Sequence, residues 1–96
     1  MTHEINNFSF SPTPEAAASF HDKGVVILHT GKGRLFSSNR TGARIWRGIE
    51  QQLTMDIIAS EISGEYQIPL TTAREHTVHF LAELQRHELV QQETRQ

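Results

Sequence analysis

The sequence predicts a single α+β domain, in which a three-stranded antiparallel sheet is followed by three α-helices in a winged helix-turn-helix-like arrangement. The chain of 96 residues is long enough for one hydrophobic core and too short for two. Its first half alternates strand-like runs with glycine-containing turns, and its second half has the periodicity of amphipathic helices. We expect the domain to span residues 16–90, with a flexible N-terminal arm over 1–15 and a polar tail over 91–96.

The predicted sheet lies between residues 16 and 37. Its central strand is the clearest, because Val25–His29 is rich in the β-branched and apolar residues that favour strands. Turns over 21–24 and 30–33 contain glycine and separate it from strands over Ala16–Phe20 and Arg34–Ser37. Arg34–Ser37 is therefore predicted to be a short edge strand.

Three amphipathic segments follow the sheet. Apolar residues recur at i, i+3, i+4, i+7 and i+11 over residues 42–53 and again over 55–66, as on one face of a helix. The third helix is expected to begin near Thr72, whose spacing to Glu75 is that of a capping box. Asn39 or Thr41 is the predicted N-cap of the first helix, and Thr54 that of the second.

Charge is distributed unevenly, although the net charge is only −2. Residues 23–49 hold six cations and no acid, whereas residues 50–93 hold eight acids and two arginines. This pattern indicates either a basic binding face or two surfaces that attract each other. The absence of cysteine and of any apolar run longer than Val25–Leu28 favours a cytoplasmic protein without a membrane segment.

The sequence offers no convincing catalytic or metal site. His76, His79 and Glu83 could project from one side of a helix toward Zn²⁺, but their spacing is not that of a zinc-binding HExxH helix, and we favour a solvated face. The Gly31–Gly33 turn lacks the other parts of a phosphate-binding loop, and no nucleophile elbow is present. We therefore expect no enzyme activity, no metal and no cofactor.

Nucleic-acid binding is the main alternative for a helix-turn-helix. A recognition helix should bring cations to the phosphates. The third predicted helix and its end carry Arg74 and Arg86 against Glu75, Glu83 and Glu88. This balance argues against nucleic acid as a partner, so a DNA-binding winged-helix regulator is only the runner-up interpretation.

Several short motifs together resemble the PqqD family. They are Gly24-Val25-Val26-Ile27-Leu28, the Gly33–Phe36 segment, Asn39, Thr41-Gly42 and Ile45-Trp46. The similarity covers about residues 16–90, and it departs from the family pattern in two places. Ser38 stands where a large apolar residue is usual, and Gln51-Gln52 replaces an acidic-Gly turn.

The resemblance implies a recognition domain for ribosomally made, post-translationally modified peptides, of the pyrroloquinoline-quinone or lasso-peptide type. The leader segment of a precursor peptide would add as a strand to the edge strand, in a groove against the third helix. The domain would then deliver it to a radical SAM enzyme or a leader peptidase of the same pathway. A subunit that binds only its partner enzyme is a third interpretation.

Mapped onto this chain, the resemblance places the groove between the edge strand and the third helix. The expected peptide-binding residues are Arg34, Leu35, Phe36 and Ser37 on the strand, with Val78, Leu81, Ala82 and Gln85 opposite. Val78, Ala82 and Gln85 flank the main apolar stripe of the helix, which makes its apolar face wide. Such a face is also compatible with a homodimer.

Overall fold

A computed structural model of the chain describes residues 9–93. The strands are β1 (Ser9–Pro12), β2 (Ala16–His21), β3 (Gly24–His29), β4 (Arg34–Ser38) and β5 (Val90–Glu93). The helices are α1 (Arg40–Glu50), α2 (Met55–Tyr66) and α3 (Leu70–Arg86). The predicted α+β fold, with a three-stranded antiparallel sheet and three helices, is confirmed. No helix in the described part of the chain is long and apolar enough to cross a membrane.

The three-stranded sheet has the order β2-β3-β4, with both pairs antiparallel. Its inner face packs on the helices, and Val25 and Ile27 of β3 are fully buried there. Because side chains alternate along a strand, Phe36, which lies opposite Ile27, belongs to the inner face, and Leu35 belongs to the outer face. Within the described residues β4 pairs with β3 alone, so its other edge is free.

The first two helices begin at side-chain caps. The Asn39 side chain accepts a hydrogen bond from the Gly42 backbone N–H at 3.0 Å and is the N-cap of α1, so that Thr41 lies within the first turn. Thr54 caps α2 by accepting from the Ile57 N–H at 3.3 Å. Both interactions satisfy backbone donors that a helix start leaves free.

The predicted start of the third helix is wrong. α3 begins at Leu70, two residues before Thr72, and its N-cap Pro69 makes no side-chain capping bond. Proline fixes φ, here at −59°, and its carbonyl accepts from the Ala73 N–H at 3.0 Å. The helix therefore starts at a backbone that the proline ring has already oriented, without a capping box.

The core lies between the inner face of the three-stranded sheet and the helices. Ile45, Trp46 and Ile49 of α1 are each 1% exposed, and they form its centre. The indole N–H of Trp46 donates to Glu50 Oε2 at 2.9 Å, which gives this buried ring a polar partner at its rim. α1 is thereby held beneath the sheet, next to β4.

A second, two-stranded sheet joins β1 to β5 and differs from our expectation for both chain ends. The pairing is antiparallel, from Ser9 opposite Glu93 to Pro12 opposite Val90. Phe10 is only 7% exposed and belongs to the core, which explains why the chain is ordered here instead of forming a flexible arm. The parts of the predicted arm and tail over 1–8 and 94–96 lie outside the described residues.

Candidate functional site

A groove separates β4 from α3 and has α1 at its base. It encloses a cavity of about 300 Å³. The lining residues are Phe36 and Ser38 of β4, the cap Asn39, Thr41, Gly42 and Ile45 of α1, and His76, His79, Phe80 and Glu83 of α3. The groove borders the free edge of β4, so exposed main-chain groups and an open cavity lie side by side.

One wall of the groove is aromatic. The Phe36 ring lies 5.9 Å from that of Phe80 and 5.0 Å from the His87 ring, in tilted arrangements. His76, Phe80 and Glu83 recur at i, i+4 and i+7, which aligns them on one side of α3. The groove therefore combines apolar surface from Phe36 and Phe80 with polar groups from the same side of the helix.

The floor requires a glycine at the start of α1. An ideal Cβ placed on Gly42 would lie 2.7 Å from the Ser38 Cβ and 2.8 Å from Phe80 Cε1, and it would also clash with the Ser38 Oγ. Real Cβ atoms do not approach other atoms this closely, so β4, α1 and α3 can meet here only without a side chain at position 42.

Ion pairs hold the end of the groove where β4 begins. Lys32 Nζ, in the β3–β4 turn, lies 2.7 Å from Glu88 Oε1, just after α3. The hydrogen bond from Lys32, together with its positive charge, holds the pKa of Glu88 below its usual value. Next to this pair His29 is 4% exposed, with its Nε2 3.6 Å from Glu15 Oε1. The hairpin turn is thereby tied to the end of α3.

Comparison with known proteins identifies the family. The family model described as "Coenzyme PQQ synthesis protein D (PqqD)" matches residues 24–90, which is more than half of the chain. The chain belongs to the PqqD family. A search of curated proteins finds no significant match.

Two solved structures share this PqqD-type fold. "TbiB1 in Complex with the TbiA(beta) Leader Peptide" is 27% identical, with a TM-score of 0.79, over 84% of this chain and 94% of that one. "Lasso peptide synthetase B1 complexed with the leader peptide" is 22% identical, also with a TM-score of 0.79, over 86% and 98% of the two chains. Both were solved with a leader peptide bound.

Both departures from the usual PqqD pattern lie at tight positions in the structure. Ser38, in place of a large apolar residue, lines the groove directly above Gly42. Gln52, in place of the glycine of an acidic-Gly turn, has a φ of 59°, in the left-handed region that favours glycine. A residue with a Cβ therefore adopts a glycine-like backbone at Gln52.

The four residues predicted on the edge strand divide between its two faces. Phe36 is half-buried and lines the groove. Arg34 shares its face of the sheet and is exposed near the hairpin turn. Leu35 and Ser37 lie on the outer face, where Leu35 is 69% exposed. Of these four, only Phe36 borders the cavity itself.

The residues predicted on the third helix do not line the cavity beside β4, so the structure does not bring this half of the predicted site together with Phe36. Leu81 is 3% exposed and belongs to the core. Val78 and Ala82 lie about 160–200° around the helix axis from Phe80, at 100° per residue, and both are exposed. Gln85 is also exposed and lies on the same side as Val78. The groove is instead bordered by His76, His79, Phe80 and Glu83.

The sequence did contain a signal for the side of α3 that lines this cavity. His76, His79 and Glu83 share one helical side, which we noted as a weak zinc pattern and interpreted as solvated. In residues 9–93 no three side chains of metal-binding type are grouped so that they could hold an ion. Glu83 instead accepts a hydrogen bond from the Arg86 guanidinium at 2.6 Å. The stripe is polar because it forms the rim of a groove.

Proposed function

We propose that this PqqD-family chain binds the leader segment of a ribosomally made precursor peptide and presents it to a pathway enzyme, without catalysing a reaction itself. The observation that carries the proposal is the free edge of β4 beside the groove to α3. The TbiB1 complex supports it, since that protein shares the fold and was solved with a leader peptide bound. The enzyme is a radical SAM enzyme or a leader peptidase.

The leader binds as an additional antiparallel strand on β4. A free strand edge offers a row of N–H and C=O groups, which an extended peptide can pair with whatever its side chains are. Side chains of paired residues lie on the same face of a sheet. The leader residue opposite Phe36 therefore points into the groove, and the residue opposite Leu35 lies on the outer face.

Side-chain selectivity comes from the groove. Phe36, Phe80 and Ile45 provide apolar surface, so burying a large apolar or aromatic leader side chain stabilises the complex. His76 and His79 lie at the rim and are exposed, where they can accept or donate hydrogen bonds. Strand pairing supplies affinity for any extended chain, and the groove restricts which chains bind tightly.

The winged-helix alternative receives no support from α3, the helix in the position of a recognition helix. Its two arginines are both in ion pairs, Arg74 with Asp56 at 3.4 Å and Arg86 with Glu83 at 2.6 Å. Cations that are already paired contribute little to phosphate binding. The site therefore supports leader recognition better than DNA binding.

Adjacent substitutions on α3 test the site. His79→Glu places a carboxylate at the groove and should weaken leader binding by more than about tenfold, or about 1.4 kcal/mol, because the charge loses solvation when the peptide covers it. Val78→Glu adds the same charge on the other side of the helix and should change affinity less than about twofold. The measurement is fluorescence anisotropy with the labelled leader of the precursor encoded beside this chain.

Phe36→Ala provides a second, uncharged test. Removing the ring opens the aromatic wall and should also cost more than about tenfold in affinity. Circular dichroism and thermal unfolding of each variant report whether it is folded. Equal weakening by Val78→Glu and His79→Glu would contradict the groove assignment, and an absence of leader binding by the unmodified chain would contradict the proposed function.

A further inference from the structure

The basic stretch of residues 23–49 contributes only partly to internal ion pairs. Lys32 is paired with Glu88. Arg44 lies 3.2 Å from Glu61 and 2.6 Å from Glu65 on α2, and the hydrogen bond to Glu65 raises the pKa of the Arg44 guanidinium above its usual value. Within residues 9–93 no ion pair involves Lys23, Arg40 or Arg47.

Arg34 likewise makes no ion pair within residues 9–93, but it lies at the start of β4. The other three unpaired cations lie on one side of the molecule. Arg40 and Arg47 border a cavity of about 230 Å³, together with Phe20 of β2 and Tyr66 of α2. Lys23, in the β2–β3 turn, shares a second depression with Arg40. We name this surface the cationic face, and it consists of Phe20, Lys23, Arg40, Arg47 and Tyr66.

Both guanidinium groups of the cationic face are held in place without a carboxylate. The Arg47 Cζ lies 3.9 Å above the centre of the Phe20 ring, which leaves the N–H groups around the edge of the guanidinium free to donate. Arg40 Nε donates to the Asp22 carbonyl at 2.7 Å, which leaves the N–H groups at the end of its guanidinium available to donate. Oriented forks of this kind are suited to carboxylates.

The cationic face and the leader groove lie on different sides of α1. The groove contacts Thr41, Gly42 and Ile45, whereas the cationic face is formed by Arg40 and Arg47. At 100° per residue these two sets lie about 100–160° apart around the helix axis. A partner seated on Arg47, Phe20 and Tyr66 therefore leaves the groove open. The depression between Lys23 and Arg40 lies closer to the groove, because Asn39 and Thr41 line both.

We propose that the cationic face docks an acidic segment of the pathway enzyme that acts on the leader-bound precursor. This inference rests on the proposed function, which requires such an enzyme. Arg40 and Arg47 are about 10 Å apart along α1, at 1.5 Å per residue. A partner segment that contacts both arginines must therefore carry carboxylates spaced along its length. Phe20 and the 39% exposed Tyr66 add apolar contact, which a protein segment can use beyond its charge.

The test measures binding of the purified enzyme encoded beside the precursor gene. Biolayer interferometry is carried out with the immobilised chain, saturated with leader. We expect Arg40→Glu/Arg47→Glu to weaken enzyme binding more than about tenfold and to reduce its dependence on salt. Arg74→Glu, a charge reversal on α3 at a residue that does not line the groove, should alter enzyme affinity less than about twofold.

Leader affinity separates this inference from the proposed function. Arg40→Glu/Arg47→Glu and Arg74→Glu should both keep the leader affinity of the unmodified chain, because neither substitutes a residue that lines the groove or pairs with one. Arg40→Gln/Arg47→Gln removes the charge without adding repulsion, and it replaces the Glu variant if that variant does not fold. Two results would overturn this inference and leave the proposed function standing. In the first, the chain binds the leader but not the enzyme. In the second, enzyme binding is unchanged by substitution of Arg40 and Arg47. Tighter binding of a labelled DNA duplex than of the enzyme would also overturn it.

Discussion

Glu88 shows how a single residue can close one end of the groove. Its φ of 61° places it in the left-handed region, where it ends the turn after α3, and the following Leu89 N–H donates to the Leu84 carbonyl at 2.9 Å. A glycine would be the ordinary residue for this backbone. The carboxylate at this position is instead held by Lys32 of the β3–β4 turn, so that the residue joins two parts of the fold that are distant in sequence.

The lowered pKa of Glu88 predicts how this contact responds to pH. Because the folded-state pKa lies below the unfolded value of 4.5, the pair stabilises the fold above about pH 4.5 and loses that contribution as pH falls through the folded-state pKa. Glu88→Gln should therefore lower the midpoint of thermal unfolding at about pH 7 and have little effect at about pH 2. In a Lys32→Met background the same substitution should lose its pH-dependent effect, and a difference that persists in acid would contradict the assignment.

At the scale of elements, the α1–α2 turn contains two adjacent glutamines in different conformations. Gln51 has a φ of −87°, whereas Gln52 has a φ of 59°. Left-handed backbone is unfavourable for residues with a Cβ. The conformation is retained here because the Gln52 N–H donates to the Ile49 carbonyl at 2.9 Å.

These two positions predict opposite effects of one substitution. Gln52→Gly relieves the strain and should stabilise the protein by about 0.5–1 kcal/mol. Gln51 has no backbone strain for a glycine to relieve. Gln51→Gly should therefore destabilise the protein by about the same amount, because glycine loses more backbone freedom on folding than glutamine does. Urea unfolding of the two variants is the measurement. Effects of the same sign would contradict the backbone assignment.

Local sequence periodicity predicted most helices and strands, but it did not predict which side of each helix borders the groove. The runs Ala16–Phe20 and Val25–His29 and the caps Asn39 and Thr54 are determined by near neighbours in sequence, and the structure contains all of them. The groove side of α3 was missed because periodicity identifies apolar faces, whereas the stripe that borders the groove includes two histidines and Glu83. The wide apolar stripe that includes Val78 faces away from it.

At the scale of the whole molecule, local sequence periodicity could not predict the pairing of β1 with β5. Its paired residues Ser9 and Glu93 lie about 80 residues apart in sequence, and each strand has four residues. Such short polar strands carry almost no periodic signal. Phe10 gives the reason for the pairing, because its burial in the core fixes β1 where β5 can reach it.

Phe10 therefore provides a stability test of the whole fold. Phe10→Ala should lower the free energy of unfolding by about 3–5 kcal/mol, as expected when a buried ring is removed. Phe10→Leu keeps most of the apolar volume and should cost less than about 1.5 kcal/mol. Urea unfolding followed by Trp46 fluorescence measures both. A change of less than about 0.5 kcal/mol for Phe10→Ala would indicate a flexible arm.

The pairing of β1 with β5 also determines how this domain can be combined with others. Antiparallel neighbours have Cα atoms about 5 Å apart, so the start of β1 lies directly beside the end of β5. Neither of these strands lines the groove. A domain of this shape is suited to insertion as a cassette into a loop of a larger protein, because the host loop need not be stretched and the edge of β4 stays uncovered.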